Sequence, residues 1–526
     1  MSCTLRRRTP LSTDLCQAAP MGSADVREHH PMKSAFLRRV ALAVALSLLA
    51  ACSGPQVSDT KLPGKLDVRP DNGVAPLFTP PKPERFELAN GLQVWLFSRT
   101  TLPLVTASLT LPAGAVVDPD GKAGLASLTA SMLSEGTERL TSLEFADEVE
   151  VLGATLSASS GQDSSQVFLQ TLPRNLEATL ALASELLMTP RFDPKEFERI
   201  HQLTSNSLQQ RQDEPKAVAS ITGTRAFFGE GHPYAHPVDG TLESLENLSL
   251  EDVKTFYSTY WRPEGATLVV VGDVDRKGLE GLLNEKLGTW QGKGPVPEIA
   301  NPVAPTSLGR TVIVDVPGAP QTVIRFLMPG PGIRTPDAAT LELLNTLFGG
   351  SFTSRINQNL REDKGYTYGA RSSFVMLRST GYFVGSSSVR TEVTGAALAE
   401  FLKEYRRLEA GDITADELER SRATQNADMV QLFETQSGVV SAFSDVALYG
   451  LGEDHLEKLL AALQVVQLPG LNDQARRASD LSNATLILVG DRAEIERQIA
   501  ELPIAPAELR DKEGAHLPRE TEPTNR

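Results

Sequence analysis

At 526 residues the chain is longer than the roughly 250–300 residues that one hydrophobic core supports, so at least two domains are expected. Its 40% hydrophobic and 22% charged residues describe a folded globular protein and exclude a fibrous or wholly disordered one. A formal net charge of -15 excludes the basic footprint that nucleic-acid binding requires.

The N-terminus reads as an address. Lys33, Arg38 and Arg39 precede an apolar run, Val40–Leu48, that Leu49-Ala50-Ala51-Cys52 closes with small residues. The run is shorter than the roughly 20 residues of a membrane-spanning helix. Leu-Ala-Ala-Cys resembles a bacterial lipobox, which implies that Cys52 is lipidated, becomes the first mature residue and anchors the chain to a membrane. Ser53 beside it, in place of an aspartate, implies by the same resemblance the periplasmic face of the outer membrane. The translation start is Met1, Met21 or Met32. Cys3 and Cys16 lie in the leader, 1–51, so the mature chain keeps one cysteine and forms no internal disulfide.

Residues 52–84 contain Pro55, Pro63, Pro70, Pro76, Pro80, Pro81 and Pro83, a composition that predicts an extended tether reaching on the order of 90 Å at about 3.1 Å per residue. Folded sequence, 85–291, starts with FELANGLQVWLF, a predicted hairpin around Asn90-Gly91. An alternating strand that approaches the core from an edge, Leu104–Leu111, leads through the turn Asp118-Pro-Asp-Gly121 into a helix over Ala123–Thr137, with Leu125, Leu128, Met132 and Leu133 on one face. FDPKEFER opens a polar helix on which His201 is expected to face solvent. HPYAHP places His232 and His236 in a loop, because Pro233 and Pro237 exclude a shared helix face. Gly292–Leu308 is a Pro-rich linker, 309–505 a second folded segment, and 506–526 a charged, apolar-poor tail expected to be disordered.

The two folded segments repeat each other. ATLVVVGD at 266–273 returns as ATLILVGD at 484–491, FDPKEFER at 192–199 as ITADELER at 413–420, and the strand ending at Pro112 as the one ending at Pro329. Offsets of 218, 221 and 217 in one order mean duplication. The fold class expected is α+β: two homologous halves, each a mostly antiparallel sheet packed with helices.

AGLASLTASMLSEGT, PRFDPKEFER, HPYAHPVDGTLESLENLSLEDVKTFYSTYWRPEGATLVVVGDV and LFGGSFTSRINQNLREDKGYTYGA together resemble the pitrilysin/insulinase-like zinc peptidases, the inverted-zincin group that includes mitochondrial processing peptidase. The resemblance implies that the two halves face each other like a clam shell. In that group the first stretch carries His-x-x-Glu-His, whose imidazoles hold zinc and whose Glu activates water. Here Ser127, Ala130 and Ser131 stand at those positions. The family's third ligand, a Glu 76 residues beyond the second His, corresponds by count to Ser207, and an accessory acidic position to Ile200. Hydroxyl and alkyl groups are not zinc ligands, so no metal or other cofactor is expected in this chain.

The second half keeps Arg361 and Tyr368, matching the family's Arg-x6-Tyr element. In active members these residues bind the substrate backbone near the scissile carbonyl, through a guanidinium fork and a phenolic donor. From spacing alone, Arg361 could equally sit in the last turn of a helix that Gly365 ends, with Tyr368 packed in the next strand. The Gly349-Gly350 pair reads as a short flexible turn or a helix stop.

The resemblance therefore implies the non-zinc, substrate-binding subunit of a two-chain zinc peptidase of the processing-peptidase type. Its partner would be a homologous subunit that bears the zinc, and its substrates peptides or unfolded protein segments in the cell envelope. The alternative is a catalytically inactive peptide-binding or structural subunit of an envelope complex. A self-sufficient zinc peptidase would need ligands that this sequence lacks.

Overall fold

The structure is a computed structural model that describes residues 78–299, 301–305 and 309–517; Cys52, the leader and most of the tether lie outside the described residues. The described residues belong to one compact unit, Leu77–Arg526. They build two six-stranded sheets. The first consists of β1 (Glu84–Glu87), β2 (Gln93–Ser98), β3 (Val105–Leu111), β4 (Thr155–Ser160), β5 (Ser165–Thr171) and β6 (Thr267–Gly272), in the order β1-β2-β6-β3-β5-β4. The second consists of β7 (Arg310–Asp315), β8 (Gln321–Pro331), β9 (Thr367–Met376), β10 (Thr380–Arg390), β11 (Thr485–Gly490) and β12 (Ala507–Arg510), in the order β12-β7-β11-β8-β10-β9.

The repeats of the sequence occupy equivalent places: β6 and β11 carry the ATL-x-x-VGD strands, and β3 and β8 the strands that end before Pro112 and at Pro331. Both sheets are mostly antiparallel, with parallel pairing of β6 on β2 and of β11 on β7. The outermost strands differ. β1 joins β2 as the antiparallel hairpin around Asn90-Gly91, whereas β12 returns from the C-terminus to lie parallel to β7. Residues 507–517 thus depart from the disordered tail expected of them: an edge strand needs one ladder and one apolar contact, and Leu509 packs on the second core.

Helices packed with these sheets include α1 (Leu125–Leu133), α2 (Pro194–Arg211), α3 (Pro215–Phe228), α4 (Leu242–Glu246), α5 (Thr394–Ala410), α6 (Ala415–Leu432) and α7 (Gln436–Leu448). α3 and α7 are equivalents in the two halves, and each crosses to the other half's sheet. α3 buries Val218, Ala226 and Phe227 against Val323, Leu327, Ile487 and Val489 of the second sheet. α7 buries Val439, Val440 and Phe443 against Trp95, Phe97, Val269 and Val271 of the first.

This exchange corrects the expectation for β3. Expected to approach the core from an edge, β3 is buried throughout and lies inside the sheet between β6 and β5. The polar face is roofed by α7, where Thr106 Oγ1 donates to Gln436 Oε1 (3.0 Å) and Gln436 Nε2 donates to the Leu104 carbonyl (3.1 Å).

A second link between the halves is polar. Asp163, 2% exposed in the β4–β5 turn, accepts from the hydroxyls of Tyr234 (2.7 Å) and Tyr449 (3.0 Å) and from the backbone N–H of Arg378 (3.0 Å). Burial, and then the carboxylate itself, pushes both phenols far above their usual range.

Candidate functional site

The helix that carries the metal motif in the resembling peptidases is α1. It starts at Gly124, whose φ of +95° and close approach to the Asp239 carbonyl, 2.8 Å from where a Cβ would lie, admit only glycine. Asp118 caps this start, accepting from the backbone N–H groups of Gly124 (2.8 Å) and Ala126 (2.9 Å). Burial pushes the Asp118 carboxyl up to about 7 against the pull of those donors. Leu125, Leu128, Met132 and Leu133 point into the first core, as the apolar face predicts.

The three motif positions have become ordinary helix surface and core. Ala130 is fully buried. Ser131 Oγ donates back to the Ser127 carbonyl at 3.0 Å, a bond within its own helix. Ser127 Oγ donates to Asp239 Oδ1 at 2.9 Å, and Asp239 Oδ2 accepts from Arg211 Nη2 at 2.6 Å. Arg211 ends α2, the helix that packs against α1 and carries Ser207 and Ile200. Ser207 is exposed, and Ile200 packs half-buried on the first core.

A chain of hydroxyl, carboxylate and guanidinium therefore stands at this place. The donor set does not fit zinc: Ala130 and Ile200 have no lone pair, and the Ser127 hydroxyl is engaged with Asp239. Among the described residues no three His, Cys, Asp or Glu side chains come together to hold a metal ion. The Asp239–Arg211 pair has no signal in the sequence, since it depends on how the loop after HPYAHP folds back onto α2.

His201 and His232 are held by hydrogen bonds to the protein. His201, expected to face solvent, is half-buried and its Nε2 bonds the Leu245 carbonyl of α4 at 2.9 Å. Within HPYAHP, His232 Nε2 bonds the Val303 carbonyl (2.8 Å) and its Nδ1 accepts from the Tyr234 N–H (3.1 Å).

In the second half, two π-helical turns, Thr346–Gly350 and Gln358–Asp363, flank a short helical step. Such turns are rare and concentrate at functional sites. Gly349 is not a flexible hinge there. A Cβ on it would stand 2.4 Å from the Ser372 nitrogen of β9, so the π turn reaches the strand only with glycine.

Arg361 lies in the second turn, which Gly365 closes at φ +63° by donating its N–H to the Arg361 carbonyl (3.1 Å). The Arg361 guanidinium sits 4.7 Å over the exposed ring of Phe352, with Nε 3.3 Å from Glu362. The turn packs against β9, an edge strand that carries Tyr368.

A bulge sets the direction of Tyr368. Ala370 pairs with Ser387 and Thr367 with Val389, so Tyr368 and Gly369 together oppose the single residue Ser388. Tyr368 does not pack in the strand, and it is 92% exposed. Arg361 and Tyr368 share no hydrogen bond among the described residues; neighbouring elements present both to solvent. What they offer is two kinds of N–H and O–H donor and no acceptor charge.

Residues 94–232 match the family described as insulinase, peptidase family M16, and residues 247–425 match the peptidase M16 inactive domain, together more than half of the chain. The chain belongs to peptidase family M16. The first match spans α1 and α2 with Ser127, Ala130, Ser131 and Ser207, and the second spans Arg361 and Tyr368.

Among M16 relatives, zinc protease PqqE of Helicobacter pylori is 25% identical over 428 residues, covering 78% of this chain and 90% of that protein. The non-peptidase homolog YmxG of Helicobacter pylori is 24% identical over 398 residues, covering 74% and 90%. The crystal structure of a peptidase M16 inactive domain from Pseudomonas fluorescens superposes with a TM-score of 0.72 at 22% identity, covering 78% of this chain and 98% of that one. At that identity the likeness establishes the M16 fold.

Proposed function

We propose that this M16 chain is the substrate-binding, non-zinc subunit of a two-chain peptidase, supplying Arg361 and Tyr368 to a homologous partner that carries zinc and water. The observation that supports this most is Tyr368. A large aromatic side chain 92% exposed on an edge strand, turned outward by a bulge, has no packing role that would explain it.

The chemistry suits substrate binding. The Arg361 fork can hold a peptide carbonyl in ground and transition states alike, and the Tyr368 phenol can donate toward developing oxyanion charge. In the first half, the Ser127–Asp239–Arg211 chain offers no metal site, so water activation has to come from elsewhere. The alternative, an inactive peptide-binding or structural subunit, is supported by the match to the inactive domain and by the non-peptidase relative.

The test is a complex with a zinc-bearing M16 subunit. Tyr368→Phe should cut its peptidase activity roughly 10²–10³-fold, by analogy with loss of one oxyanion donor. Arg361→Ala should weaken substrate binding and appear largely in KM. Co-purification and the partner's zinc content should not change. A complex that assembles and cleaves at the wild-type rate with both residues replaced would leave only the scaffold alternative.

We also propose the envelope address implied by the lipobox. Cys52→Ser should move the protein from membranes to the soluble periplasmic fraction, since the acyl chains on one residue hold it there. Retention on the membrane after signal cleavage would contradict that address.

A further inference from the structure

Three neighbouring strands of the second sheet carry charge of one sign. β8, β10 and β9 lie side by side and contain Arg325, Arg390 and Arg371, with no Asp, Glu or Lys. In a chain of net charge -15 such a stretch is a positive island. Arg390 is already paired, with Glu392 at 2.7 Å and the Gly365 carbonyl at 2.8 Å.

The other two arginines share one row. Ser386 of β10 pairs directly with Arg325 of β8 on one side and with Arg371 of β9 on the other. Residues paired in this way point to the same face, so both stems rise beside Ser386, roughly 10 Å apart at the backbone. That face is the one turned to the first half, where Val323, Leu327 and Val384 pack with α3. The apolar cover ends at this row: Arg371 is exposed, and Ser386 and Arg325 are half-buried. The Arg325 stem passes under α3, its Cδ and Nε 3.6 and 3.5 Å from where a Cβ of Gly223 would lie.

Neither guanidinium has a carboxylate within ion-pair distance among the described residues, and Arg371 makes no hydrogen bond there. Burial works against the Arg325 charge, and the Tyr382 phenol is the one group that supports it. Only Nε of the Arg325 fork is shut in without a partner, so an incoming anion meets its outer nitrogens. A half-buried cation without a counter-charge is costly, and a carboxylate from outside relieves that cost with the geometry an arginine fork prefers.

We infer that this row is a subsite for a carboxylate of a bound peptide, held above Ser386 between the Arg371 and Arg325 forks. The inference rests on reading the protein as a peptide-binding subunit. Arg371 follows Tyr368 on the same strand, about 10 Å further along, so a peptide held extended at Tyr368 brings a side chain about three residues away over this row. An acidic side chain and a free C-terminus both supply the group, the second only where the peptide ends there.

The test uses the full mature protein, titrated by calorimetry with a heptapeptide of alanine and serine that has glutamate at its centre, N-acetylated and amidated. The same peptide with central glutamine is the control, as its amide and as its free acid. Arg371→Gln is the main variant, because an exposed, unpaired side chain can be changed without disturbing the fold. Arg371→Lys keeps the charge and removes the fork. Arg325→Gln is read once a thermal melt shows it folded.

The glutamate peptide should bind about tenfold or more tightly than the glutamine amide. Arg371→Gln should remove most of that preference, Arg371→Lys should fall between, and Arg325→Gln should lower it too. If the free-acid glutamine peptide binds like the glutamate amide and also depends on Arg371, the subsite stands with a chain terminus as its occupant. Equal binding of the glutamate peptide and both glutamine peptides, or an unchanged preference in Arg371→Gln, would overturn the subsite. Arg361→Ala separates this from the broader reading: equal binding of all peptides, weakened alike by that variant, would remove only the subsite, whereas no binding of any peptide would remove both.

Discussion

At the scale of single residues, the most informative positions are those where the family's chemistry has been replaced by hydrogen bonding. Ser127 and Ser131 are legible in sequence because the surrounding AGLA and ML frame fixes their register, and the structure finds them on α1 as that frame implies. The Asp239–Arg211 pair was not legible. Its partners lie 28 residues apart, and nothing in their spacing says that the loop closes on the end of α2. Tyr368 was legible as a residue but not in its exposure, which depends on a one-residue bulge that strand patterning does not show.

Asp118 gives a testable consequence at this scale. Its folded-state value of about 7 stands above the ordinary 3.8, so the folded protein holds this proton more tightly than the unfolded one. The stability it contributes is complete below about pH 4 and is lost as the pH rises through about 7. The melting temperature of the wild type should therefore fall between about pH 4 and 7, and Asp118→Asn should flatten that slope. Equal slopes in thermal melts of the two proteins would remove Asp118 as the source.

At the scale of elements, the duplication could be read from three offsets, but the exchange of α3 and α7 could not. Alternation along β3 and the apolar run of β6 tell which residues need cover, not which helix supplies it. The Gly349 turn is a similar case. A Gly-Gly pair reads as a stop, and only the approach to Ser372 shows that it is a packed π turn.

The exchange makes each half depend on the other. Phe443 of α7 is fully buried, with its ring 4.5 Å from Phe97 and 6.2 Å from Trp95 across the halves. Phe443→Ala should cost about 3–5 kcal/mol, the usual range for emptying such a site. Because the element belongs to one half and its cavity to the other, denaturant unfolding should remain a single transition with a lower midpoint. Two separate transitions, or a loss under about 1 kcal/mol, would show that the halves stand independently.

At the scale of the whole molecule, the apolar exchange and the Asp163 link tie both halves into one body. Within it the α1–α2 surface is closed by a hydrogen-bonded series of side chains, and the β9 edge carries donors open to solvent. That asymmetry is what an M16 protein would show if it presented substrate to a metal held by another subunit. The fold class could be read from motif and repeat, since both are local in sequence. The closure of the first site could not, because it is made by tertiary contacts.

If this protein supplies substrate binding but no metal, the most direct test is peptide cleavage by the purified mature form, alone and after mixing with a zinc-bearing M16 subunit, with zinc counted per molecule. No cleavage and no stoichiometric zinc are expected alone, and cleavage that depends on Tyr368 is expected on mixing. Chelator-sensitive cleavage by the protein alone, with one tightly bound zinc, would contradict that division of labour.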